Sequence, residues 1–275
     1  MEQVSVISLW IALLLFGAAF ALFIFHYLSR REQMNLRGVA VALAGWVALG
    51  VALVLRAAVA ERLPIVGAYE SLALITWFVV AVYLVLELFT QVKKLGLYVM
   101  PVAIVFLGLA WSSYTAPAGL MPELQSDIVV LHVIVMFTAV GALYLAGCAA
   151  LLYLVEERLL KRHRAGSVLG RLPSLATLDR VVYRATLIGV PFLTMGMVAG
   201  GIRAIAFGVE DWLVDPMVLL SLGAWAIYLA LLYGHLRGGW GGRRAAWLAV
   251  AGLAVMLVIR FAAVPYWSGF HTYGG

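Results

Sequence analysis

The chain has 275 residues, of which 65% are hydrophobic and only 12% charged, with a mean hydropathy of +1.05. A water-soluble domain needs far more charge to cover its surface, so this composition excludes a soluble globular protein and describes a polytopic membrane chain. The formal net charge of +6 calls for no nucleic-acid partner, because basic loops gathered on one membrane face and attracted to anionic lipid account for it.

Eight apolar runs follow one another, near residues 4–28, 38–60, 68–90, 96–113, 128–155, 181–206, 216–236 and 245–265. Each is long enough to cross about 30 Å of hydrocarbon as a helix. The first, Val4 to Leu28, lacks a basic leading segment and a small-residue cleavage site, and reads as a retained helix. Arg30, Arg31 and Arg37 fall in the first loop, and Lys93 and Lys94 in the third. Arg158, Lys161, Arg162, Arg164, Arg171 and Arg180 fall in the fifth, and Arg237, Arg243 and Arg244 in the seventh. The positive-inside rule makes that side cytoplasmic. The expected fold is therefore all-α: a polytopic membrane helix bundle of about eight transmembrane helices with both termini extracytoplasmic. It is expected to form a single integral-membrane domain over residues 1–275, in the plasma membrane. The longest polar interruption, 156–180, is expected to be a cytoplasmic helical connection, with Leu159, Leu160, Val168, Leu169, Leu172 and Leu175 available to lie on the membrane surface.

Several chemistries lack their residues. Gly238-Gly239-Trp240-Gly241-Gly242 has no Lys-Ser/Thr of a phosphate loop and reads as a tight turn between helices. The single Cys148 has no disulfide partner, and there is no C-x-x-C-H for covalent haem. No H-E-x-x-H, nucleophile elbow or Cys/His metal cluster is present, so hydrolysis has no basis.

The informative residues converge on the outer side. His132 falls in the first turns of span five, His271 in the tail after span eight, and Trp212 and Asp215 in the connection between spans six and seven. Two neutral imidazoles from separate segments can ligate an iron porphyrin axially, each offering one ring nitrogen to the metal while the other donates to a fixing acceptor. Histidine and tryptophan also anchor helices at membrane interfaces, and spacing alone does not separate the two readings. Arg56, Arg203 and Arg260 interrupt the outer halves or ends of spans against the charge trend. Guanidinium groups suit the propionates of haem. The alternatives are snorkelling to headgroups or pairing with Glu61, Glu70 or Glu210. Trp212 is placed to lie flat on a porphyrin, and Asp215-Pro216 reads independently as a helix start, with Asp as cap and Pro at the first position.

The chain resembles the CcsA/ResC branch of the haem-handling proteins of cytochrome c maturation, related to CcmC and CcmF. The likeness is densest from Leu172-Pro173-Ser174-Leu175, Leu178-Asp179-Arg180 and Tyr183-Arg184 through Gly189, Pro191, Gly196 and Gly200. It continues with Asp215-Pro216, Trp225, Tyr228, Trp240 and Arg243-Arg244-Ala245-Ala246-Trp247, and closes with Ser268-Gly269-Phe270-His271-Thr272-Tyr273-Gly274. Tyr69-Glu70-Ser71 and Leu131-His132-Val133 also look like family positions.

The resemblance implies a helix bundle that presents haem b, bound non-covalently and transiently, on an outer tryptophan-rich loop, with His132 and His271 matching the axial ligands. It also implies a CcsB/ResB-like membrane subunit and an apocytochrome c as partners. The family loop W-G-x-x-W-x-W-D-P-K-E survives here only as Trp212 and Asp215-Pro216, with Phe207 near the first tryptophan, Val214 at the third and Met217-Val218 in place of Lys-Glu. Tyr233 stands where a further family histidine is expected, and His235, two residues on, faces another side of its helix. His235 and His26 lie at inner helix ends, open to an inner haem pair or to interfacial anchoring, whereas His163, among Lys161, Arg162 and Arg164, reads as a solvated loop residue. The eroded loop leaves two other functions in play. One is a non-catalytic HemX-like haem-binding regulator or assembly factor. The other is a structural subunit of a respiratory complex, packing through Gly196-x-x-x-Gly200.

Overall fold

The computed structural model describes residues 1–29, 31–65, 67–89, 95–116, 127–161 and 174–262. Among them are eight α-helices and no strand: α1 (Glu2–Ser29), α2 (Glu32–Ala60), α3 (Gly67–Phe89), α4 (Gly96–Ser112), α5 (Asp127–Lys161), α6 (Leu175–Ala206), α7 (Pro216–Gly238) and α8 (Arg243–Val258). Seven are long and apolar enough to cross a membrane, while α4 is equally apolar but has 17 residues, about 25 Å of helix. The eight helices follow in the expected order, and seven of them have the length expected of a span.

The boundaries differ most around 156–180. No breaker follows Val155, and Glu156-Glu157-Arg158-Leu159-Leu160-Lys161 is a run of good helix formers, with Lys161 Nζ 2.6 Å from Glu157 one turn back. Leu159 and Leu160 therefore continue α5 instead of lying along the surface, and Leu175 opens α6. Ser174 caps that helix, its hydroxyl accepting from the Thr177 amide at 3.2 Å. Val168, Leu169, Leu172 and His163 lie outside the described residues.

The helices divide into two compact units at Val130 and Leu131. In the first, the buried positions of α1 (Leu9, Ala12, Phe16, Ala19, Phe23, His26) and of α2 (Gly38, Ala42, Gly45, Leu49, Ala52, Arg56) recur every three or four residues, giving each helix one continuous seam. Lipid is as apolar as a side chain, so close packing holds such seams together. The rings of Phe23 and Phe16 lie 2.6 Å and 2.8 Å from where a Cβ on Gly38 and Gly45 would stand. Trp46 stacks on Trp77 of α3 at 4.6 Å and donates its indole N–H to the Trp77 carbonyl. At the α1–α2 turn, His26 Nδ1 donates to the Arg31 carbonyl at 2.9 Å.

The second unit uses the same device. Side chains of α5 fill gaps along α6 in antiparallel register: His132 at Gly200, Met136 at Gly196 and Leu143 at Gly189. The Gly196-x-x-x-Gly200 face, which a structural subunit of a larger complex would use for packing, is filled here by α5 of the same chain. Tyr228 of α7 is fully buried, its hydroxyl 3.2 Å from the carbonyls of both Leu143 and Ala249, and its ring fills the space beside Gly252 of α8. Pro191 removes one amide from the α6 ladder. Thr194, on the next turn, donates to the Val190 carbonyl and accepts from Trp225 Nε1 at 2.9 Å. Gly239 and Gly242 bound the α7–α8 turn with φ of +59° and +63°, so the glycine cluster is the tight turn the sequence predicts.

Candidate functional site

Residues 196–212 carry three of the predicted side chains to one end of the second unit. His132, in the second turn of α5, places Nδ1 2.7 Å from the carbonyl oxygen of Gly196. A carbonyl only accepts, so the proton is on Nδ1 and the Nε2 lone pair is left available. The ring lies over Gly200, with Cε1 2.8 Å from where a Cβ would be. Arg203 follows three residues later on the same face of α6, 8% exposed and close enough for its charge to bear on the imidazole. Its guanidinium also stands 4.4 Å from the Phe207 ring centroid.

Trp212 opens a short 3-10 turn, Trp212–Val214, and lays its indole over Gly201, 3.2 Å from the position of a Cβ there. Leu213 and Val214 beside it are more than half exposed. Asp215 then caps α7, its carboxylate accepting from the Met217 amide at 2.8 Å with Pro216 at the first helical position, as the sequence predicts. His132, Arg203 and Trp212 thus share one stretch of α6. An imidazole nitrogen, a cation and an indole there are the groups an iron porphyrin needs, one each for metal, propionate and ring face.

Arg260 sits elsewhere. It falls in a π turn that prolongs α8, and its electrostatic neighbour is Tyr144, about 18 Å along α5 from His132. His271 lies outside the described residues.

Arg56 belongs to the first unit, where it takes one of the partners weighed from the sequence. Its Nε donates to Glu70 at 2.8 Å and its terminal nitrogen to the Thr115 carbonyl at 2.6 Å. Tyr69 and Tyr114 have their ring centroids 5.1 Å and 5.6 Å from the guanidinium carbon. Arg62, not singled out in the sequence, grips the same carboxylate at 2.6 Å and 3.1 Å. The cluster is sealed, with side-chain exposures of 3% for Arg56, 2% for Arg62 and 0% for Glu70. Arg62 stands eight residues before Glu70 and directly after Glu61, which ends α2 with a φ of +51°.

At the opposite end of the second unit, Tyr233 is 67% exposed while His235 turns inward. His235 stacks on Tyr183 at 5.2 Å and lies 3.7 Å from Asp179, which also accepts the Gly242 amide at 2.7 Å. Asp179 therefore ties the α7–α8 turn to α6, a role the sequence did not suggest.

Residues 65–271 match the family model described as "Cytochrome C assembly protein". Curated relatives carry the name "Cytochrome c biogenesis protein CcsA". That of Trieres chinensis is 29% identical over 247 residues, 78% of this chain and 79% of its own length. Those of Microcystis aeruginosa and Gloeobacter violaceus are 27% and 28% identical, covering 77% and 78% of this chain and 79% of each relative.

Proposed function

Since the chain belongs to the cytochrome c assembly protein family, we propose that it handles haem in cytochrome c maturation, binding haem at the outer membrane face and presenting it to apocytochrome c together with a CcsB/ResB-like subunit. The coarser part, a multi-pass membrane protein of cytochrome c biogenesis, follows from the family and the seven long apolar helices. The outer face is assigned by the basic loops, which put the α5 N-terminus, the α6 C-terminus and both chain termini outside the plasma membrane. The whole chain acts as one membrane domain in this reading.

His132 carries the proposal. Its Nδ1–H is committed to a main-chain carbonyl, which leaves Nε2 as the nitrogen for iron. His271 is the second axial ligand in this reading, Trp212 covers the ring, and Arg203 takes a propionate, while Arg56 is committed to Glu70 and the Thr115 carbonyl. Haem b is cargo here, held non-covalently until it is handed on. Asp215 serves the site by fixing where the Trp212 turn meets α7.

The test is purification without added haem, followed by a reduced-minus-oxidised spectrum of wild type, His132→Ala and His271→Ala. The expected result is a haem b spectrum in wild type, lost or shifted in both variants. A folded, colourless wild type overturns the reading, and a spectrum indifferent to both substitutions overturns the ligand pair. A second reading, a HemX-like regulator that binds haem without delivering it, is favoured by Val214, 65% exposed where the family has tryptophan. Failure to restore c-type cytochromes to a synthase-deficient strain, with the haem spectrum intact, would select it.

A further inference from the structure

His132 owes its orientation to α6 backbone atoms, not to another side chain. Nδ1 donates to the Gly196 carbonyl at 2.7 Å, and the edge of the ring between Cε1 and Nδ1 fills the place of the missing side chain at Gly200, 2.8 Å and 3.1 Å from a Cβ built there. A contact of 2.8 Å is shorter than real Cβ atoms tolerate. The intruding atoms belong to a rigid ring with two torsions, not to the loose end of a flexible chain. A methyl group at position 200 therefore has to turn the imidazole, and turning it lifts Nδ1 off its acceptor.

We infer that Gly200 is a positioning residue for the iron ligand: its bare Cα lets the His132 ring settle with Nδ1–H on the Gly196 carbonyl, so that Nε2 alone is presented. The inference rests on the reading of His132 as a haem ligand. A neutral imidazole has one proton and one lone pair, and a carbonyl beside Nδ1 selects the tautomer whose lone pair is on Nε2. With that contact gone, the proton can sit on either nitrogen and the ring loses its fixed direction.

The same helix supplies its own control. Gly189 has Leu143 where a side chain would be, with Cγ 2.6 Å from the built Cβ. Alanine there intrudes at least as far, but against an aliphatic group seven residues from Gly196. A purely packing role makes Gly200→Ala and Gly189→Ala equivalent, whereas positioning separates them.

The experiment uses the full chain in detergent at pH 8, labelled with [15N]histidine, with His132 assigned by its loss in His132→Gln. Ring-nitrogen shifts then report the tautomer before any haem is added. Wild type and Gly189→Ala should both carry the proton on Nδ1, and Gly200→Ala should lose that preference. Titration with haem b should weaken by about 10- to 100-fold in Gly200→Ala, as for the loss of an orienting partner, and by less than about twofold in Gly189→Ala. A wild-type His132 protonated on Nε2 overturns the inference whether or not Gly200→Ala folds. So does a Gly200→Ala protein with wild-type tautomer and haem affinity. A wild type with the proton on Nδ1 that takes up no haem refutes the ligand reading instead, and its Gly200→Ala tautomer still shows whether the glycine orients the ring.

Discussion

Replacing Glu70 by Gln tests how far the first unit depends on one carboxylate. Glu70 accepts at 2.8 Å and 3.1 Å on one oxygen and at 2.6 Å on the other, from two guanidinia that are at most 3% exposed. Glutamine keeps the volume and one acceptor. Its amide nitrogen, however, then faces a guanidinium donor, and two buried cations lose their counter-charge. Removing one member of a buried pair costs about 3–5 kcal/mol, because the surviving charge stays desolvated. At about 2–4 °C per kcal/mol for a chain of this order of size, the melting temperature should fall by roughly 6–20 °C. Thermal unfolding of the detergent-solubilised protein, followed by size-exclusion recovery, reads this directly. The double variant Glu70→Gln/Arg62→Met should be less destabilised than the sum of its parts, by about 1–3 kcal/mol, because the second change removes one of the two cations that lose the carboxylate charge. A Glu70→Gln protein melting within about 2 °C of wild type, with an additive double variant, would refute the view that this cluster fastens α2 to α3.

Asp215→Ala should cost about 1 kcal/mol through loss of the α7 cap, and Asp215→Asn should melt close to wild type, since asparagine caps equally well. Gly239→Ala should destabilise by about 1 kcal/mol in the same melt, because position 239 holds φ at +59°. Trp225→Phe should also cost about 1 kcal/mol by deleting the donor to Thr194, with a combined Trp225→Phe/Thr194→Ala less than additive. In haem titrations, Arg203→Gln should weaken binding about tenfold, equivalent to about 1.4 kcal/mol for one charged propionate contact, without changing the reduced spectrum.

Helix number and order were legible because a bilayer imposes long uninterrupted apolar runs, and no soluble core demands the like. Asp215-Pro216 and Gly238–Gly242 were legible because caps and positive-φ turns are written in local residue types. The pairing of Arg56 could be narrowed to a few carboxylates, but the choice of Glu70 depends on which faces of α2 and α3 meet. Arg62 escaped notice because a cation just beyond a span looks like any loop cation until the turn at Glu61 folds it back. Asp179 escaped for a similar reason: its acceptor role is to the main-chain amide of Gly242, and main-chain partners leave no mark on composition. Residue type and position pointed to His132, whereas the contact that orients it is with the main-chain carbonyl of a glycine 64 positions away that the sequence marks only as a packing and family position.

That contact ends on a peptide oxygen, which no codon change can delete. Short of replacing His132 itself, substitution can abolish it only indirectly, by adding bulk along α6 that turns the ring off its acceptor. The connection from Phe207 to Val218 is bound by no such guarantee, since each of its contributions is a side chain. The direction of the His132 ring and the aromatic cover beside it can therefore change independently, and a loop that keeps only Trp212 of the expected tryptophans leaves the imidazole pointing the same way.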